Sequence, residues 1–309
     1  MPMFKFSPRP AAGITGMLLL GVAAMAMIGC NPGGREAKGF LRACEAGDAV
    51  ACNEFGLRLL RGEHVLRDVA RAAGMFEQAC DAGVAPSCAR LAALYQTGRG
   101  VDRDSARATA LYGRACDGGA FDGCISLGIL YRDGASVPQD FDRAAELFER
   151  ACDGGNATGC TRLGALYAAG QGVGRDLARA ARLYQQTCDG DVMEGCIELG
   201  RLYAAGSGVP RDPARAGDLY RQACDGHEAA GCFLLGGLYA TGEGVTPDVE
   251  RAAELYHDAC RDGHGEACYA LGMLRLNGPE VVRRPAEAAT WIRRACGYHY
   301  EPACSNEGG

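Results

Sequence analysis

Sixteen of the 17 cysteines keep a fixed beat. They fall in pairs: Cys44 and Cys52, Cys80 and Cys88, Cys116 and Cys124, Cys152 and Cys160, Cys188 and Cys196, Cys224 and Cys232, Cys260 and Cys268, Cys296 and Cys304. Partners are 8 residues apart and successive pairs 36 apart, without exception. A fixed period between about 20 and 50 residues marks a repeat array, one supersecondary unit copied along the chain. Other residues keep the same time. Gly98-x-Gly100-Val101 recurs at Gly170, Gly206 and Gly242, and is degraded at Gly62, Gly134 and Gly278. Asp68, Asp104, Asp140, Asp176, Asp212 and Asp248 share one phase, Leu91 to Leu271 a second, and Tyr95 to Tyr239 a third.

Each period holds two helices. Around Cys160, apolar residues at Leu163, Leu166 and Tyr167 follow a helical spacing, and Gly170-Gln171-Gly172 stops the run. Asp176 then stands where an N-cap satisfies free backbone N–H groups, ahead of Ala180, Leu183, Tyr184 and Thr187. Glycine inside a helix costs about 1 kcal/mol against alanine, so recurring Gly128, Gly164, Gly200, Gly236 and Gly272 imply close helix approach. One hairpin cannot bury its apolar stripe alone, but stacked neighbours can. The expected fold is therefore all-α: a right-handed α/α solenoid of TPR-like hairpins, stapled by disulfides. Seven full hairpins run from Cys52 to Cys296, after a lone helix at about 36–44. The last hairpin departs from the pattern at Pro279, Pro285 and Trp291, as an end repeat facing water does.

Two bonding registers fit antiparallel helix ends. Each Cys-x7-Cys can close on itself, or Cys52 can join Cys80, Cys88 join Cys116 and so on. The shifted register strands Cys44 and Cys304 at opposite ends of the array, beyond disulfide reach. The local register uses all sixteen, so eight local bridges are expected. No C-x-x-C occurs, which argues against zinc and against a thioredoxin-type site.

The string Ala151-Cys152-Asp153-x-Gly155-x3-Gly159-Cys160-x2-Leu163-Gly164-x-Leu166-Tyr167-x2-Gly170-x-Gly172-Val173-x2-Asp176, iterated at 36, resembles the Sel1-like repeat family. More narrowly it is similar to that family's cysteine-rich, penicillin-binding branch, the Hcp β-lactamases. The resemblance implies one disulfide per Cys-x7-Cys pair. It also implies either a scaffold or adaptor, or a slow β-lactamase acting on the β-lactam amide.

The N-terminus reads as an address. Lys5 and Arg9 precede an apolar run from Ala11 to Ile28 that ends in Met27-Ile28-Gly29-Cys30. A small residue before a cysteine at that place resembles the lipobox of bacterial lipoproteins, with Met27 and Ile28 as departures. Residues 1–29 are then a signal peptide, Cys30 the lipidated residue, 30–36 a flexible tether through Asn31-Pro32-Gly33-Gly34, 37–304 the solenoid and 305–309 a tail; the alternatives are ordinary cleavage after Ala26, at the Ala-x-Ala site of 24–26, and an uncleaved membrane anchor. Cys30 is also the one cysteine left over by the pairing. An exported chain is free to form disulfides, and Asn31 after the cysteine points to the outer membrane.

Chemistry is scarce elsewhere. Of 32 basic residues only Lys5 and Lys38 are lysine, so a P-loop and a Ser-x-x-Lys site are absent. The net charge of -6 argues against nucleic acid. Histidines 64, 227, 257, 264 and 299 lack metallohydrolase spacing, and His227 and His264 are expected to face solvent. No metal or cofactor is expected. The repeated aspartates read as caps and the tyrosines as packing. Function then resides in what varies between units, along the first helix of each hairpin. Three of its phases carry Arg162, Glu198, Arg201, Phe233 and Tyr269, the candidate groove residues for carboxylate or peptide contacts. The expected function is a lipid-anchored envelope scaffold for an unidentified protein or peptide. The alternative is a β-lactam or peptidoglycan-like ligand.

Overall fold

The computed structural model describes residues 32–304, and all its regular elements there are helices. The chain divides into two compact units, Met1–Ala82 and Gly83–Gly309. The first holds α1 (Pro32–Glu45), α2 (Ala49–Arg61) and α3 (Val69–Asp81). The second holds α4 (Ala85–Thr97), α5 (Ser105–Asp117), α6 (Phe121–Asp133), α7 (Phe141–Asp153), α8 (Ala157–Ala169), α9 (Leu177–Asp189) and α10 (Met193–Ala205). It continues with α11 (Pro213–Asp225), α12 (Ala229–Thr241), α13 (Val249–Arg261), α14 (Gly265–Asn277), α15 (Pro285–Gly297) and the short α16 (Glu301–Cys304). Even-numbered helices from α2 to α14 open a hairpin and are called A; the next odd-numbered helix closes it and is called B. In the second unit each B helix packs on its own A helix and on the A helix that follows, or, for α15, on the short α16.

The hairpin is set by local chemistry. Asp68, Asp104, Asp140, Asp176, Asp212 and Asp248 each cap a B helix, accepting the backbone N–H three residues on at 2.8–3.0 Å. Each capping aspartate also donates its own backbone N–H back to the A helix, as from Asp176 to the Tyr167 carbonyl at 3.0 Å. That bond cinches the loop. Between them the backbone must turn left-handed, and Gly100, Gly172, Gly208 and Gly244 do so with φ of 67–75°. His64 and Ser136 occupy the same place with φ of 60° and 73°. A side chain there costs about 1–2 kcal/mol of steric strain. Ser136→Gly is therefore expected to raise the unfolding midpoint in urea, by about 0.5–1 kcal/mol after the added chain entropy is counted. A lowered midpoint would mean that the serine side chain contributes more than the strain costs.

Packing is repetitive and tight. Leu91, Leu127, Leu163, Leu199, Leu235 and Leu271 are all buried. A methyl group built on Gly128, Gly164, Gly200 or Gly236 would lie 2.5–2.8 Å from the ring edge of Phe148, Tyr184, Tyr220 or Tyr256 respectively. The helical glycines are thus seats for the aromatic ring of the B helix. Seven of the bridges join Cys44–Cys52, Cys116–Cys124, Cys152–Cys160, Cys188–Cys196, Cys224–Cys232, Cys260–Cys268 and Cys296–Cys304, with Cα atoms 4.5–4.9 Å apart. Cys80 and Cys88 are also disulfide-bonded. The local register holds, because the tight B-to-A turn brings residues 8 apart to facing positions.

Two expectations are corrected. The leading helix is longer than 36–44 and begins at Pro32, so the described part of the segment read as a tether, residues 32–36, is helical. Proline is tolerated at a helix start because its missing N–H would have no partner there. Gly33 gives the His64 ring room to lie against the helix backbone, where a β-carbon would overlap it. Second, His264 does not face solvent as His227 does. It is half-buried and caps α14, its Nδ1 accepting the Ala267 N–H at 3.1 Å. Cys30 lies outside the described residues.

Candidate functional site

The positions that repeat are consumed by packing and capping, which leaves the varied positions of the A helices: the phases of Arg162 and of Arg201 are half-buried or exposed throughout, whereas the phase of Phe233 and Tyr269 is buried at Asn53, Ile125, Thr161 and Ile197. In the second unit these varied residues touch from one A helix to another. Arg162 on α8 reaches Glu194 on α10, with N and O 3.9 Å apart. Its Nε is buried without a hydrogen-bond partner. One turn along α10, Glu198 pairs with Arg201 at 3.5 Å. Burial raises the Glu198 pKa above the usual carboxylate range; Arg201 opposes that rise and Glu194 adds to it. Beneath them lie the ring seats. Tyr184 is pushed well up by burial, with Glu198 and Glu194 adding. Burial lifts Tyr220 to about 12, with Arg201 lowering it and Glu198 raising it. Both phenols stay neutral at any physiological pH and serve as fixed hydrogen-bonding and packing surfaces.

The face continues past α10. Phe233 on α12 stacks on the His264 ring at 4.8 Å and leans on Tyr256 at 5.7 Å. Burial holds the His264 pKa below its ordinary value; Glu266 opposes this and Arg201 reinforces it. Tyr269 sits farther along on α14 with its ring 5.3 Å from Tyr300. Arg162, Glu198 and Arg201 thus form one charged patch with Glu194, and Phe233 begins an aromatic patch with His264. Tyr269 and Phe233 both pack on one hydrophobic cluster, and the ring partner of Tyr269, Tyr300, belongs to the turn before α16. Between α4 and α6 the same phases leave a recess of about 440 Å³, with Tyr112 and Ser126 in its wall and Arg90 and Asp122 beside them. It is open because Ala93 and Ser126 are small where Arg201 and Glu198 stand three and two units later, respectively.

Sequence reasoning missed Glu194 and His264. Glu194 falls in phase with Asp122 and Glu266, and His264 in phase with the caps Asp48 and Asn156. Both signals were present in the period. A ladder was missed as well. Arg107, Arg143, Arg179 and Arg215 lie over the rings of Tyr95, Tyr131, Tyr167 and Tyr203 at 4.4–5.3 Å. These tyrosines were expected simply to pack. In fact each carries the guanidinium of the first turn of its own B helix, a cation–π contact worth about 0.5–1 kcal/mol at an exposed site. Among the described residues no group of His, Cys, Asp and Glu is arranged to hold a metal ion, and no helix is long and apolar enough to cross a membrane.

The Sel1 repeat pattern matches seven times, at residues 49–84, 85–119, 122–156, 157–192, 194–227, 229–264 and 265–296. No curated protein matches the chain. Among solved structures, c5321, a protective antigen present in uropathogenic Escherichia coli strains and displaying an SLR fold, superposes with a TM-score of 0.77 at 26% identity, over 88% of this chain and 60% of its own. The chain therefore spans less than two thirds of that antigen's length. A Sel1 repeat protein from Oxalobacter formigenes superposes with a TM-score of 0.64 at 23% identity, over 69% of this chain and 85% of its own. Cysteine-rich protein B of Helicobacter pylori is 28% identical over 45% of this chain and 99% of its own, with a TM-score of 0.36.

Proposed function

Because the chain belongs to the Sel1 repeat family, we propose that it is an exported scaffold that binds a protein or peptide segment along the A-helix face of its second unit. One observation carries this reading. Residues that differ between repeats meet across units on that face, Arg162 with Glu194 and Phe233 with His264, while the repeated residues are spent on holding the stack. A scaffold needs a constant frame with a varied surface. The patch offers two guanidiniums and two carboxylates beside exposed or half-buried apolar rings, the mixture that takes backbone carbonyls, carboxylates and apolar side chains of an extended segment. Eight disulfides belong to an oxidising compartment. The lipobox-like Met27-Ile28-Gly29-Cys30 supports attachment to a membrane through Cys30, with the outer membrane as the site.

The binding reading is tested with a photo-crosslinking amino acid placed at Phe233 in the exported, oxidised chain. The same probe at Asp218, exposed on α11, is the control. Adducts are expected from position 233, absent from position 218, and reduced at least tenfold by Arg162→Glu with Arg201→Glu. Equal labelling at both positions, or adducts indifferent to the charge reversal, would remove the A-helix face as the binding surface. Nitrocefin is assayed on the same preparation, because a β-lactam is the alternative ligand for such a chain. Saturable turnover above buffer background would assign the face to that chemistry instead. For the anchor, Cys30→Ala is expected to move the protein from the membrane pellet to the soluble fraction.

A further inference from the structure

The eight bridges are not equally protected. Thirteen of the sixteen bonded cysteines are buried, and Cys224, which is not, is bonded to buried Cys232. Only the Cys296–Cys304 bridge has both partners outside the core, and Cys304 alone among the sixteen is exposed. The cause lies in the repeat. In interior units the second cysteine of each bridge lies at the end of the first turn of an A helix that runs on for nine residues, as from Cys160 to Ala169, and that cysteine is buried. Of helix α16 the described part is four residues, Glu301–Cys304, and there Cys304 is exposed. The helix is held by the bridge, by the Tyr300 N–H donated to the Ala295 carbonyl at 3.1 Å, by Ala303, which is fully buried, and by Tyr300 against Tyr269.

We propose that Cys296–Cys304 is a modification site, a thiol-exchange site that reacts with a small thiol while the other seven bridges stay closed. The incoming thiolate attacks Cys304 Sγ. The Sγ–Sγ bond breaks and its electron pair leaves on Cys296 as a thiolate, while a new S–S bond joins the thiol to Cys304. Oxidation state is passed from one sulfur pair to the other, so no outside oxidant enters. A second thiol attacking the mixed disulfide frees Cys304 and leaves as the disulfide of the two small thiols. Access governs which bridge reacts, since a thiolate must reach a sulfur to displace it. Either step unties α16 from α15. The chemistry does not depend on what the A-helix face binds.

The test uses the full oxidised chain with reduced glutathione in graded excess, acid quenching, alkylation of free thiols and peptide mapping by mass. Glutathione on Cys304 with alkylated Cys296, or both alkylated, is expected at least tenfold faster than modification of any other bridge. Trp291, the only tryptophan, lies five residues before Cys296 in α15, so its emission should shift in step while the helical circular dichroism is unchanged. Even labelling of all bridges, earlier labelling of an interior one, or no labelling before the whole chain unfolds would each overturn the proposal. The Cys296→Ala, Cys304→Ala variant is expected to resist the same dose. An unchanged rate of glutathione uptake in it would also defeat the idea.

Discussion

Complete reduction and alkylation of the eight bridges is expected to abolish the helical circular dichroism signal at 25 °C and with it any cooperative melt. Each bridge closes a loop of 8 residues, for which chain-entropy reasoning gives about 2–3 kcal/mol. Eight of them amount to roughly 20 kcal/mol, more than the 5–15 kcal/mol of net stability usual for a folded protein. The core explains why so little is left without them. In α7 the buried residues are Ala144, Ala145, Leu147, Phe148, Ala151 and Cys152, half of them alanines. Such a helix removes little apolar area from water, and each hairpin contacts only its neighbours, so the loss is felt in every unit. An array of this kind need not unfold in one step, so the readout is the residual ellipticity of the fully alkylated chain. Ellipticity near the native value with a sharp thermal transition would mean that packing alone holds the stack.

The second large effect is a reversal of sign between two Gly→Ala substitutions. Alanine is better than glycine inside a helix by about 1 kcal/mol. At Gly113 in α5 a new methyl meets nothing within 4 Å, so Gly113→Ala is expected to stabilise by about 0.5–1 kcal/mol. At Gly164 in α8 the methyl would lie 2.7 Å from Tyr184 Cε1 and 3.1 Å from Cδ1. Tyr184 is 3% exposed and cannot swing away. Overpacking costs about 1–3 kcal/mol and sets the sign, so Gly164→Ala is expected to destabilise despite its helix propensity. Urea melts of the two variants measure both effects. Combining Gly164→Ala with Tyr184→Leu should recover part of the loss, a coupling of opposite sign to the single change. Equal stabilisation at both sites would mean that the glycine is no seat for the ring.

Much of the fold was readable because its demands are local. A cap at Asp176 needs an oxygen in reach of an N–H three residues away, and a left-handed turn at Gly172 asks for a residue without a β-carbon. A bridge between Cys152 and Cys160 needs only the turn between them. These requirements act within a dozen residues and recur every 36, so repetition exposed them. The helical start at Pro32 was hidden because Pro32, Gly33 and Gly34 read as linker residues by composition.

The candidate face was only half readable. Phase arithmetic placed Arg162, Glu198, Arg201, Phe233 and Tyr269 on the varied phases of the A helices, as groove residues. It did not pair Arg162 with Glu194, 32 residues away, or lay His264 on Phe233, 31 residues away. Nor did it single out Cys304 as the exposed sulfur, since all sixteen cysteines look alike in the period. The order of bonds, turns and helices belongs to the chain, because backbone groups and short loops decide it. Which side chains meet between repeats, and which sulfur meets water, was decided by the stack, because only the spacing and tilt of neighbouring hairpins set how far a side chain reaches and what covers it.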